Sequence, residues 1–288
     1  MFNEKIPYFK IDKFILWGNQ NVTSGALNLA FEKGIDIIFL TSFGKFKGKI
    51  EGKKSKNIYL RLAQYELWRE ENCKLKIAKE VIYGKIKNQI ALLKYYNIKI
   101  EVKNIIDRIT CVSNIKELMG IEVIISKIYF SKLGSVITNK EFEFNGRNRR
   151  PPKDEINALL SLTYSLTLNY IIVGLEKVGL DTYLGFLHSI KYGREALALD
   201  ILEEFRQGFC DKFVIKIINR REFKKSDFTE NEEVGYRLTD SAFRKYLKKF
   251  NIEIEKINEI IDNQASKLKD AILLNKPYYT YEPYKKNN

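Results

Sequence analysis

The chain has one histidine, His188, and a dense set of carboxylates follows it. The stretch 183–206 reads YLGFLHSIKYGREALALDILEEFR. His188 closes a short apolar run, a loop with Gly193 follows, and from 195 apolar residues recur at helical spacing (Leu197, Ile201, Leu202, Phe205). On such a helix Asp200 shares a side with Glu203 and Glu204, because residues three and four apart are neighbours. An imidazole with hard oxygen donors suits a divalent ion such as Mg²⁺ or Mn²⁺, whereas soft sites use thiolates. The competing reading is a structural histidine beside solvated carboxylates, and spacing alone does not choose between Glu203 and Glu204.

A second carboxylate stands out upstream. Glu122 lies in an apolar helical run, flanked by Ile121, Val123, Ile124 and Ile125. A buried carboxylate is costly unless it is paired or binds a metal. Lys127 is the nearest partner in sequence.

The elements that position these groups can be read outward from them. Residues 1–56 form a small β unit: short β-branched and aromatic runs at 11–18 and 34–42, a short helix from Ser24 as N-cap to Lys33, and a lysine-rich edge hairpin at 45–53. From Asn57, a helix cap, the period becomes helical. Apolar positions Ile77, Val81, Ile82, Ile86, Ile90, Leu92 and Leu93 mark the inner face of a long helix over 75–96. Lys74, Lys76, Lys79, Lys85, Lys87, Lys94, Lys99 and Lys103 face only Glu80 and Glu101 in that region, so a lysine-covered outer face is expected, either solvated or phosphate-contacting. Residues 138–153 read as a loop with Arg147, Arg149 and Arg150 ahead of Pro151 and Pro152, and Asp154 caps the next helix. The uncharged run 156–175 is apolar, yet it holds Asn157, Thr163, Asn169 and further polar side chains, which predicts a buried core helix and no membrane span. An irregular stretch over 220–237, helices at 239–250 and 254–274, and a flexible or docking tail from 278 complete the chain.

A length of 288 residues with 45% hydrophobic and 30% charged content describes a globular protein and excludes a disordered one. A formal charge of +14 makes an extended polyanion, nucleic acid before membrane, the leading partner class. Cys73, Cys111 and Cys210 lack CxxC spacing, which argues against a zinc site or disulfide scaffold and fits a reducing cytoplasm.

Ordered blocks along the chain carry a resemblance. IDKFILWG and its continuation to 52, then RLAQY, AKEVIYGKIKNQIALL, MGIEVIISKIYF, RRPPKDEINALLSLTYSLT, GLDTYLGFLH and LALDILEEFR together resemble the CRISPR-associated spacer-acquisition integrase family, over about 6–274. The resemblance implies a metal site built from the acidic residue of an LxGxE block, the histidine of GFLH and an acidic residue of the DxxE/D block. These correspond to Glu122, His188 and Glu203, with Asp200 as a supporting acid. It also implies an α+β fold, a small N-terminal β domain (1–56) followed by a larger all-helical catalytic domain (57–288). The family has further β-strands before the block matched at 11–18, so the β domain is expected to be shortened.

The implied activity is that of a Mg²⁺- or Mn²⁺-dependent DNA endonuclease and integrase, joining prespacer 3′-hydroxyls to the leader–repeat junction. The implied partners are double-stranded DNA, a second copy of the chain and a small ferredoxin-like adaptation protein. Lys85, Lys87, Arg147, Arg149, Arg150, Arg220 and Arg221 are the expected duplex contacts. A non-enzymatic basic DNA-binding protein and a plain metal-dependent nuclease are the alternatives.

Overall fold

The computed structural model describes residues 7–8, 11, 13–41, 46–50 and 57–284. The chain divides into two compact units, Met1–Lys56 and Asn57–Asn288.

In the first unit, β1 (Lys13–Trp17) and β2 (Asp36–Leu40) pair in parallel, with Lys13 opposite Asp36 and Trp17 opposite Leu40. A parallel pair needs a crossover, and helix α1 (Ser24–Lys33) supplies it. The cap is Thr23 rather than Ser24: its hydroxyl accepts from the Ala26 N–H at 3.2 Å. Gly34 ends the helix in the left-handed region at φ 66°, a conformation that glycine adopts without Cβ strain. β3 (Phe46–Ile50) adds antiparallel to β2. The other half of the expected lysine-rich hairpin, from 51, lies outside the described residues. Ala30, Ile35 and Ile37 form a small core under Ile11, Leu16, Val22 and Leu27.

The second unit is mostly helical. It runs α2 (Ile58–Arg69), α3 (Glu71–Tyr95), α4 (Lys103–Cys111), α5 (Ile115–Leu133), α6 (Glu155–Val178), α7 (Ala196–Phe205), α8 (Lys212–Asn219) and α9 (Asp240–Leu274). Asn57, Asn114 and Asp154 cap α2, α5 and α6 with their side-chain oxygens. α6 packs against α9 and α7, and α3 against α5 and α7. In length and composition α6 could cross a membrane, but 72% of its apolar window is buried inside the unit. Its polar groups are satisfied there: the Thr163 hydroxyl donates to the Leu159 carbonyl and meets the Tyr246 hydroxyl at 2.7 Å.

Two expectations are corrected and one alternative is decided. The second unit, expected to be an all-helical catalytic domain, is not all-helical, because β4 (Phe228–Asn231) and β5 (Gly235–Leu238) form an antiparallel hairpin inside the stretch expected to be irregular. Each strand has only four residues, too few for a period-two pattern to register, and the pairing is anchored from outside by the Tyr236 N–H on the Pro152 carbonyl at 3.1 Å. Second, 239–274 is one helix. No glycine or proline interrupts it, and Tyr246, Phe250, Ile254, Ile257 and Ile261 keep one apolar stripe in register across the expected break. Third, the tail is docked: Asn88 donates to the Tyr281 carbonyl at 2.8 Å and Lys87 pairs with Glu282 at 3.0 Å. Lys285 and Lys286 lie outside the described residues.

The continuity of α9 is testable at the exposed Asn251. Two helices meeting there would tolerate a proline, whereas one continuous helix loses a hydrogen bond and gains a clash. Asn251→Pro is expected to cost about 3 kcal/mol or more, read as a lowered urea midpoint at unchanged slope.

Candidate active site

His188 sits in the irregular segment between α6 and α7, and α2 holds that segment in place. The buried Gln64 carboxamide donates to the Asp181 carbonyl and accepts from the Asp181 N–H, both at 2.9 Å. Trp68 donates its indole N–H to the Gly185 carbonyl at 3.0 Å, and Tyr65 donates to the Asp181 carboxylate at 2.7 Å. Gly185 lies so close to α7 that a Cβ there would stand 2.7 Å from the Ala196 carbonyl carbon. The loop is therefore pressed onto the helix that carries the acids.

Asp200 secures the end of this loop. One of its oxygens accepts from the Phe186 and Leu187 N–H groups at 2.6 and 2.9 Å. The other takes the His188 N–H at 2.9 Å and lies 2.7 Å from His188 Nδ1. An ionised carboxylate only accepts, so Nδ1 carries a hydrogen, and whenever the ring is neutral Nε2 presents a lone pair. That nitrogen is 3.9 Å from Glu203 Oε1.

The two remaining acids converge on a single cation. The Lys85 ammonium, from α3, donates to Glu122 Oε1 of α5 and stands 2.8 Å from Glu203 Oε2 of α7. Ser126 donates to the same Glu122 oxygen at 2.8 Å, and Arg206 Nη2 lies 3.1 Å from Glu203 Oε1. Burial would raise the Glu203 pKa, but Arg206, Lys85 and His188 outweigh it and hold the carboxyl down at about 2. Lys85, with 5% of its surface exposed, is thus an inward ion-pair partner and not a lysine of the exposed phosphate-facing surface. It also replaces Lys127 as the partner of Glu122. The surroundings of Glu122 differ from expectation too: it lies at the edge of the buried stripe Leu118, Ile121, Ile125, while Val123 and Ile124 turn outward.

Glu204, next in sequence to Glu203, points elsewhere. It accepts from the Tyr278 hydroxyl, the Tyr281 N–H at 2.9 Å and Gln264 at 2.7 Å, and so anchors the docked tail. Here burial wins over those hydrogen bonds and pushes the carboxyl up to about 7. A π-helical turn, Arg206–Asp211, follows α7. Asp211 fixes it by accepting from Tyr129 at 2.7 Å and Tyr164 at 2.5 Å, and Arg206 stacks 4.5 Å over the Tyr164 ring.

A cleft of about 420 Å³ opens beside the acids, lined by Lys85, Glu122, Ser126, Lys127, Phe130, Arg147, Arg149 and Arg206 among others. The candidate DNA contacts divide around it. Arg147 turns inward, donating to Asn157 at 2.8 Å and Ser161 at 2.9 Å, and so braces its own loop. Lys87 is paired with Glu282. Arg149, Arg150, Arg220 and Arg221 are exposed. Arg206 was legible from its position one turn after Glu203, whereas nothing local marked Lys85, which lies 37 residues from Glu122 in sequence.

In kind, the donor set fits a divalent cation: two carboxylates that already share one positive charge, and an imidazole nitrogen whose ring is oriented by a third carboxylate. Among the described residues no group of three or more His, Cys, Asp or Glu side chains is yet gathered to hold a metal, and the space between Glu122 and Glu203 is taken by the Lys85 ammonium.

Residues 2–252 match the family described as CRISPR associated protein Cas1. The CRISPR-associated endonuclease Cas1 4 of Methanospirillum hungatei JF-1 is 36% identical over 243 residues, 84% of this chain and 68% of that protein. A solved CAS1 protein from Thermotoga maritima superposes with a TM-score of 0.86 at 25% identity, covering 96% of this chain and 91% of its own. A casposase bound to integration product shares the fold at a TM-score of 0.85 and 24% identity, over 96% and 84% of the two chains.

The contrast between the adjacent glutamates has a stability consequence. Glu204 has a folded-state pKa near 7, above its unfolded value of 4.5, so its contribution is present below the lower value and lost as pH rises through the upper one. Glu204→Gln mimics the neutral acid. The unfolding free energy of wild type minus that of the variant is expected to fall by roughly 3 kcal/mol from about pH 4 to about pH 8, measured by urea titration. At the loop, Gly185→Ala is expected to cost about 1–3 kcal/mol in the same assay, because its Cβ meets backbone that cannot swing away.

Proposed function

Because the chain belongs to the CRISPR-associated protein Cas1 family, we propose that Glu122, His188 and Glu203 form its metal-dependent catalytic centre and that it integrates prespacer DNA into a CRISPR array. Relatives carry the name endonuclease, and the chain is an enzyme of this nuclease and integrase class. The convergence of Glu122 and Glu203 on one cation, with His188 Nε2 beside them, is the observation that most supports the reading.

In the proposed reaction, the 3′-hydroxyl of a prespacer end attacks a phosphodiester at the leader–repeat junction. The new ester bond forms as the bond to the departing 3′-oxygen breaks, and the hydroxyl proton is released. Bound Mg²⁺ or Mn²⁺ supplies Lewis-acid polarisation of the phosphate and charge stabilisation at the attacking or leaving oxygen. Glu122 and Glu203 contribute the negative charge that holds the ion, and the neutral imidazole of His188 adds its Nε2 lone pair. Asp200 fixes the tautomer and the ring orientation, a role that commonly carries about 10–100-fold in affinity or activity. Arg206 keeps Glu203 ionised and aimed.

DNA is held without sequence readout by Arg149, Arg150, Arg220 and Arg221 and by the field of the net charge. Lys87 joins them once released from Glu282, and Arg147 acts by shaping the arginine loop. Water in place of the 3′-hydroxyl turns the same step into cleavage. A second copy of the chain and a small ferredoxin-like adaptation protein complete the proposed assembly, which works in the cytoplasm.

The test is transfer of a labelled prespacer into a repeat-containing plasmid with Mn²⁺ or Mg²⁺, with and without the small partner. Glu122→Ala, His188→Ala and Glu203→Ala are each expected to lower joining by more than about 100-fold while still binding the duplex in a salt-dependent way. Full metal-dependent joining by both Glu122→Ala and His188→Ala would sink the assignment. Cleavage without joining would favour a plain nuclease, and binding without either reaction a non-enzymatic DNA-binding protein.

A further inference from the structure

The Lys85 ammonium occupies the point on which the two proposed ligand carboxylates converge, and it is buried there. With Lys85 and Arg206 in place, the cluster of Glu122 and Glu203 is already neutral: two cations face two carboxylates. A divalent ion added to that arrangement would stand against an ammonium in a poorly solvated pocket, where like charges repel strongly. The cation must therefore leave for the ion to enter. Lys85 also lines the cleft next door, and its flexible stem allows the ammonium to turn into it. The cleft is already cationic, with Lys127, Arg147, Arg149 and Arg206 on its walls, so the displaced ammonium needs an anion to meet it.

We propose that Lys85 is the resident cation of the metal-free site, that the divalent ion replaces it between Glu122 and Glu203, and that a DNA phosphate in the cleft receives the displaced ammonium. Metal and DNA then bind with positive coupling through this one side chain, and each strengthens the other by the same factor. Without DNA the lysine keeps the carboxylates paired and competes with the metal, which then binds weakly. The inference rests on the metal site proposed above.

The test follows binding of Mn²⁺ as MnCl₂, by the paramagnetic resonance of the free ion, with and without a duplex oligonucleotide. In wild type the duplex is expected to tighten Mn²⁺ by a factor on the order of 5–100. Lys85→Met, which keeps the stem and removes the charge, is expected to bind Mn²⁺ about tenfold more tightly than wild type without DNA and to lose most of the tightening. Equal Mn²⁺ affinity and an equal duplex effect in wild type and Lys85→Met would overturn the exchange. Should Lys85→Met fail to fold, acetylation footprinting of wild type decides: Lys85 is expected to be protected without metal, to react at saturating Mn²⁺ without duplex and to be shielded again when the duplex is added, and unchanged protection at saturating Mn²⁺ without duplex would overturn it. Glu122→Gln and His188→Ala separate the two readings. If they bind Mn²⁺ as wild type does, the metal site itself is wrong. If they lose Mn²⁺ while Lys85 stays protected and its variant behaves as wild type, only the exchange is wrong.

Discussion

A buried ammonium shared by two carboxylates is the interaction around which the helical unit is arranged. Lys85, Glu122 and Glu203 come from three helices, α3, α5 and α7, and each charge would be costly to bury alone. Their mutual contact offsets part of that cost only while the three helices hold their spacing. Arg206 adds the second positive charge from one turn after Glu203, at the first residue of the π-helical turn. Such turns recur at functional sites, where an extra residue in the helix re-aims a side chain. Tyr129 and Tyr164, both donating to Asp211, hold that turn against α5 and α6.

Glu203 and Glu204 show how far environment outranks residue type. They are neighbours on one helix and both are fully sequestered, yet one carboxyl is held at about 2 and the other pushed up to about 7. Burial raises both. Two cations and an imidazole reverse it at Glu203, while neutral hydroxyl and amide donors do not suffice at Glu204. The first is left charged between Lys85 and Arg206, and the second serves to fasten the tail.

The histidine is positioned by a different means. No regular element carries His188, so its loop depends on hydrogen bonds from α2 and on the four contacts that converge on Asp200. One carboxylate thereby sets the path of the backbone, the orientation of the ring and the identity of the protonated nitrogen. The basic residues separate in a similar way by where the backbone takes them: Arg147 is consumed in building its loop, and the neighbouring Arg149 and Arg150 remain in solvent.

The sequence by itself determined the mixed α/β character, the helix caps at Asn57 and Asp154, the core placement of the apolar run 156–175 and the family. These follow from local period, capping chemistry and ordered blocks, all of which are written along the chain. His188, Asp200, Glu122 and Glu203 were legible as candidates for the same reason. The tertiary structure decided what they touch. Lys85 reads as one more lysine on a basic helix, and only the packing of α3 against α5 and α7 turns it inward to the acids. The parallel strand pair and the short hairpin likewise rest on partners outside each strand, because a hydrogen bond or an ion pair between separate segments leaves no periodic trace in either one.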